Sequence, residues 1–258
     1  MTSAATGYSL PPELGPTMVR ALLFDADGTL FPSEEPAFEA SALVTQEFAA
    51  DFGLVGDFSA DHLRRTTTGK NFRTTAQELL ARVGISLDQQ QLQSWVSREE
   101  REVTEFLGQS LSPIPDVERA LGELRRTHQL AAVSSSALRR LAACFTACAL
   151  DDLIPPDLRF SAENSLAVPT SKPDPAIYRF ALAELGLTAQ QAVAIEDSVT
   201  GVRSAVAAGI VTVGLVEFVP EDERSQRCTE LLAAGASLVT ESWCELADVL
   251  RRTAGSTP

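Results

Sequence analysis

Past Pro113-Ile114-Pro115 the chain alternates short apolar runs with helical segments, and no other feature constrains its fold as much. The apolar runs are Leu130–Ser134, Phe160–Ser161, Gln191–Ile195, Ile210–Leu215 and Ser237–Val239. Helical patterns lie at Val117–Arg126, Ala137–Cys148, Pro175–Leu185, Val199–Ala208, Asp222–Ala234 and around Cys244–Arg251, and Gly186 and Gly209 are placed to end two of them. Such alternation predicts an α/β fold with a doubly wound, Rossmann-like parallel sheet. In that architecture ligands bind in the crevice beyond the C-terminal ends of the strands.

One further strand precedes this region. Met18–Phe24 reads as buried, and the stretch that follows it, to about Gln109, is helical with almost no strand signal. Ala37–Phe52 is amphipathic, with Phe38, Leu43, Val44, Phe48 and Phe52 as its apolar set. Ser59–Thr67 follows a Ser cap, Phe72–Val83 is a third helix, and Asp88–Leu107 opens with an Asp cap. The expected organisation is a tail at 1–16, an α/β core from 17–33 and 112–258, and an inserted helical cap at 34–111. Phe31–Pro36 and the region near Gly108–Pro115 are the expected hinges, and closure of such a cap would exclude water.

The first strand runs into Leu23-Phe24-Asp25-Ala26-Asp27-Gly28-Thr29-Leu30. Residues two apart on a strand point to the same side, so Asp25 and Asp27 are expected to leave the strand end together. Two anions so placed repel unless a cation joins them or one is protonated. A hard metal and an oxygen nucleophile suit that arrangement. An ordinary Asp-Gly turn explains the dipeptide alone, but not the groups at the other strand ends.

Each later strand also ends in a polar group able to handle phosphate. Ser134, within Ser134-Ser135-Ser136, precedes a helix, where a hydroxyl and free N–H groups suit an anionic oxygen; a plain Ser cap is the alternative. Lys172, in Ser171-Lys172-Pro173-Asp174-Pro175, is one of only two lysines in the chain, the other being Lys70. Glu196-Asp197-Ser198 places two adjacent acids at a strand end. Capping of the next helix by Asp197 or Ser198 accounts for one of these residues but not for both acids.

Taken in order, these groups resemble the haloacid dehalogenase superfamily, in the phosphatase and beta-phosphoglucomutase-like branch with a helical cap. The resemblance rests on Asp25-x-Asp27-Gly28-Thr29, Ser134, Lys172 and Glu196-Asp197, with Gly201, Ser204, Ala205 and Gly209 further along, and it runs from about Val19 to Leu250. It implies that Asp25 is the nucleophile, forming an aspartyl-phosphate, and that Asp27 is the general acid and base. It implies Mg2+ held by Asp25, Asp197, Glu196 and the backbone carbonyl of Asp27, with Lys172, Ser134 and N–H groups near Asp27 and Ser135 on the phosphate oxygens. The cap segment with Gly69, Lys70, Asn71 and Arg73 would meet the leaving group; a solvated basic loop is the alternative. The second Asp, Asp27, separates phosphate chemistry from the dehalogenases and phosphonate hydrolases of the superfamily. The absence of a His from Ser33–Phe38 disfavours a phosphosugar mutase, and intact Asp25, Asp27, Lys172 and Asp197 disfavour a non-catalytic member.

Composition narrows the partners. A net charge of −14 opposes phosphate-backbone binding, so no nucleic-acid partner is expected. No apolar run reaches the ~20 residues that span a bilayer. The N-terminal residues lack the basic and apolar segments of a secretory signal, and four cysteines without a framework fit a reduced, cytoplasmic protein. Cys144 and Cys148 share a helix face and are expected to pack. His62 and His128, in polar helical contexts, are not expected to act in catalysis. The expected partner is a small phosphorylated metabolite, most of all a sugar phosphate, with the protein a monomer or weak homodimer.

Overall fold

The computed structural model describes residues 19–67 and 71–251. It divides into two compact units, one comprising Met1–Phe31 with Ser112–Pro258, the other Pro32–Leu111. In the first unit six strands form one parallel sheet: β1 (Ala21–Phe24), β2 (Gln129–Ser134), β3 (Arg159–Ser161), β4 (Ala192–Glu196), β5 (Val211–Leu215) and β6 (Leu238–Thr240). Their order is β3-β2-β1-β4-β5-β6. The chain builds outward from β1 to β3, then returns to β4 on the other side of β1. The order reverses between β1 and β4, which makes their C-terminal ends the crevice of the sheet.

The helices of this unit are α5 (Pro115–Leu124), α6 (Leu138–Ala147), α7 (Ala176–Glu184), α8 (Val199–Ala207), α9 (Glu221–Ala234) and α10 (Trp243–Arg251). Alternate residues of the central strands, among them Leu23, Val133 and Ala194, form one cluster with Ile177, Tyr178 and Ala205 from α7 and α8. On β1, Phe24 stacks on Trp243 of α10, the ring centroids 5.6 Å apart. Burial on both faces is why these strands read as continuous apolar runs rather than as alternating ones.

Strand β1 begins three residues after the expected start, since its neighbours begin pairing only at Gln129 and Ala192. His128, expected in a polar helix, lies buried in the turn before β2, and burial lowers its pKa.

The second unit holds α1 (Glu34–Asp51), α2 (Ala60–Thr67), α3 (Phe72–Arg82) and α4 (Gln89–Ser110). Helix α1 starts ahead of Pro36, which the first turn tolerates because its N–H groups lack intrahelical partners. Phe48 is the centre of the unit's core, with ring centroids 4.9 Å from Phe52, 5.8 Å from Phe72 and 5.3 Å from Trp95. Leu43, expected in the apolar set, is instead exposed. The buried stripe runs through Ala40, Val44, Thr45 and Phe48, and Thr45 satisfies its hydroxyl on the Ser41 carbonyl at 2.7 Å. The two expected caps form. Ser59 Oγ accepts from the His62 N–H, and Asp88 makes a capping box with Gln91. No helix among the described residues is long and apolar enough to cross a membrane.

Candidate active site

The site grows from the end of β1. Regular strand geometry stops at Phe24, and the Ala26 carbonyl accepts from the N–H groups of Leu30 and Phe31 in a tight turn. Gly28 closes that turn with φ +84° and donates its N–H to the Phe31 carbonyl at 2.8 Å. A side chain there is excluded twice over, since a Cβ would meet Asp197 Oδ2 at 2.3 Å.

This turn overrides the two-residue alternation, and the two carboxylates take different cations. Asp25 pairs with Lys172 Nζ. Asp27 accepts from Ser136 Oγ at 2.6 Å and from Arg140 Nη2 at 2.9 Å. Each anion thus has its own positive or donor partner, where the sequence suggested one shared volume.

Lys172 lies between two acids. Its Nζ donates to Asp25, to Glu196 Oε1 at 2.6 Å and to the Val133 carbonyl at 2.8 Å. Its own backbone N–H donates to Ser135 Oγ at 3.1 Å, so Ser135 helps hold the lysine loop. Burial works against the charge of Lys172, but Asp25 and Glu196 outweigh it and hold the ammonium above its ordinary range. Asp25 is pushed well above the ordinary Asp range. Burial is the main cause, Lys172 opposes it, and Glu196 and Asp197 add to it.

Glu196 closes β4 with no solvent exposure. Its Oε1 accepts from Lys172 and from the Tyr178 hydroxyl, and its Oε2 is buried without a hydrogen-bond partner. Asp197 follows; Thr29 Oγ1 donates to its Oδ1 at 3.3 Å and Arg227 Nη1 to its carbonyl at 2.9 Å. Helix α8 is capped by Ser198, whose Oγ accepts from the Gly201 N–H at 3.1 Å. Of the two capping candidates, Ser198 holds the N-cap position.

One oxygen from each of Asp25, Glu196 and Asp197 lies within 4.8 Å of the others. Three carboxylates gather around the Lys172 ammonium among the described residues, and Glu196 Oε2 lacks a donor there. Both facts fit a hard divalent cation with oxygen ligands. The Asp27 side chain is not part of this cluster.

Ser134 is buried at the end of β2, and its Oγ accepts from the Ser136 N–H at 3.0 Å. The three serines do not cap α6. Its N-cap position is Ala137, and the Leu138 N–H is met by Asn164 Oδ1 at 2.8 Å. Ser161 braces the same loop by donating to the Ser136 carbonyl at 2.8 Å.

Sequence inspection missed Arg140, Tyr178 and Asn164, and gave Ser136 no role of its own. Arg140 alone carried a visible signal. Arg139 and Arg140 sit in the first turn of α6, where the helix dipole disfavours cations. In the cap unit, Asn71 caps α3 by accepting from the Thr74 N–H at 2.9 Å, and Arg73 donates to Gln93 Oε1. Gly69 and Lys70 lie outside the described residues.

A family profile described as haloacid dehalogenase-like hydrolase matches residues 19–209. The chain belongs to the haloacid dehalogenase-like hydrolases. Protein CbbY of Cereibacter sphaeroides is 29% identical over 238 residues, covering 89% of this chain and 94% of the relative. A phosphorylated carbohydrates phosphatase of Thermotoga maritima is 27% identical over 195 residues, covering 74% and 82%. A solved haloacid dehalogenase-family hydrolase from Deinococcus radiodurans, with bound phosphate and sodium, is 27% identical with a TM-score of 0.67, covering 92% of this chain and 97% of that one. As a member of that family the chain is an enzyme, and its relatives place it near the phosphatase and beta-phosphoglucomutase-like branch.

Proposed function

We propose that this protein is a magnesium-dependent phosphomonoesterase that hydrolyses a small phosphorylated metabolite, most of all a sugar phosphate. The observation that carries the proposal is the buried Lys172 joined to Asp25 and Glu196, with Asp197 beside them, at the β1–β4 crevice. The phosphorylated-carbohydrate phosphatase among the relatives and the phosphate bound in the Deinococcus structure support the substrate class.

Asp25 attacks phosphorus through a carboxylate oxygen, forming an aspartyl-phosphate and releasing the alcohol. Asp27 lies on the other side of the turn, held by Ser136 and Arg140, and gives a proton to the leaving oxygen. The same carboxylate then takes a proton from the water that cleaves the acyl phosphate. Lys172 offsets negative charge as the phosphoryl group transfers. Ser134 Oγ accepts from Ser136, which leaves its hydrogen to donate to a phosphate oxygen. Asp25, Glu196, Asp197 and the Asp27 carbonyl would hold magnesium. When bound, it supplies positive charge that reduces repulsion between these carboxylates and an incoming phosphate. The segment with Gly69, Lys70, Asn71 and Arg73 is assigned to recognition of the leaving group, with Arg73 ahead of Asn71 because Asn71 already serves as a helix cap.

The test is release of inorganic phosphate from a panel of phosphorylated metabolites, with and without a chelator, for the wild type and Asp25→Asn. Magnesium-dependent release that Asp25→Asn abolishes supports the proposal. Isomerisation of a hexose 1-phosphate without phosphate release would make the protein a mutase, and equal rates for the two proteins would end the catalytic assignment.

A further inference from the structure

The two oxygens of Glu196 are treated unequally. Oε1 takes two donors, Lys172 Nζ and the Tyr178 hydroxyl, while Oε2 takes none and lies against Gly201. A Cβ on Gly201 would come within 1.7 Å of Oε2, so only glycine leaves room for the carboxylate there. A buried, charged acceptor without a donor costs more than a neutral one. An acceptor left in that state favours added positive charge in the cluster of Asp25, Glu196 and Asp197.

Tyr178 needs its own explanation. Its ring is fully buried in the core beneath the sheet, and phenylalanine would fill the same apolar space. The hydroxyl is the part that apolar packing does not require, and it donates to Glu196 Oε1. Lys172 cannot fix Glu196 alone, because its ammonium is shared with Asp25 and the Val133 carbonyl and can follow the carboxylate if it turns. The phenol, with two torsions and a ring locked in the core, cannot follow it.

We propose that Tyr178 is a positioning residue for the metal site: its hydroxyl holds Glu196 Oε1 and so fixes the carboxylate that would ligate a divalent cation. This inference rests on the proposal that Asp25, Glu196 and Asp197 bind a metal. Loss of the hydroxyl lets the Glu196 carboxylate rotate, and both oxygens then compete for Lys172. Groups that orient metal ligands in this way typically account for about 10- to 100-fold in affinity.

The experiment is calorimetric titration of the substrate-free, full-length protein with Mg2+, comparing wild type, Tyr178→Phe, Glu196→Gln and the double variant. Tyr178→Phe is expected to weaken binding by about 10- to 100-fold. In the Glu196→Gln background the same change is expected to add nothing, because Tyr178 acts through Glu196. Unchanged affinity in Tyr178→Phe, or a fully additive loss in the double variant, overturns the inference. A wild type that binds no Mg2+ at all overturns the metal assignment itself, a distinguishable result. If Tyr178→Phe does not fold, Tyr8→Phe labelled with 3-fluorotyrosine leaves a single fluorine resonance, at Tyr178. That resonance must shift on Mg2+ titration, and one that stays in place refutes the link.

Discussion

Gly201→Ala and Gly122→Ala place the same methyl group into two helices of the same unit, and the structure predicts opposite results. Both positions are helical, in α8 and α5. Replacing a helical glycine by alanine in open space gains up to about 1 kcal/mol. At Gly122 a Cβ would meet nothing within 4 Å, so the gain stands. At Gly201 it would lie 1.7 Å from Glu196 Oε2, 2.2 Å from Cδ and 2.5 Å from Oε1. The whole carboxylate must move, and it has no slack, because Lys172 and Tyr178 hold it in a fully buried pocket. Hydrogen bonds to charged groups contribute about 1.5–3 kcal/mol each. Losing even one, plus about 1–3 kcal/mol of overpacking, outweighs the helix gain and leaves a net loss of about 1.5 kcal/mol or more. At about 2–4 °C per kcal/mol for a chain of this size, Gly201→Ala should lower the melting temperature by at least about 3 °C. Gly122→Ala should raise it by up to about 4 °C. Thermal unfolding followed by circular dichroism reads both variants in metal-free buffer. A Gly201→Ala protein as stable as Gly122→Ala would show that Glu196 is not confined as described, and the metal-site geometry would fall with it.

Arg140→Ala should lower kcat by at least about tenfold with a smaller change in KM, since Arg140 touches Asp27 and the acid–base step carries about 100- to 10,000-fold; a pure KM effect in steady-state kinetics would contradict its placement. Because burial and the neighbouring acids raise the pKa of Asp25, protons would compete with the proposed cation above the ordinary carboxylate range. Mg2+ affinity should therefore fall as the pH is lowered, before ordinary carboxylates titrate, and affinity that stays flat down to that range counts against the coupling. Burial pushes the Cys144 thiol up to about 12 and Cys148 up to about 11, whereas Cys244 is exposed. A thiol reagent should label Cys244 first in the native protein and Cys144 and Cys148 only on unfolding, which peptide mapping checks. Lys70→Ala and Arg73→Ala should reorder activity across a phosphorylated-metabolite panel, and an unchanged ranking in both would misplace the specificity segment.

Features that depend on neighbours along the chain were legible before any coordinates. The caps at Ser59, Asp88 and Ser198 follow from side chains reaching N–H groups three residues on. The alternation of strand and helix implied a parallel sheet, and the polar residues at strand ends became a site because a parallel sheet carries all such ends to one edge. Face assignments were weaker. Leu43 has the chemistry of a core residue, but the row through Ala40, Val44 and Phe48 faces the cap's aromatic core, and Leu43 lies off that row.

The sequence by itself determined the reactive groups, since Asp25, Asp27, Lys172, Glu196 and Asp197 announce themselves by residue type and place along the pattern. Only the tertiary structure decided how those groups are shared out. Asp27 took Arg140, 113 positions away, and Asp25 took Lys172, 147 positions away. Tyr178 and Gly201 gained their meaning from one carboxylate that both approach. The physical reason is that a buried charge must find its partner in space. Which lysine, arginine, phenol or empty glycine stands there depends on how strands and helices pack, which local periodicity does not encode.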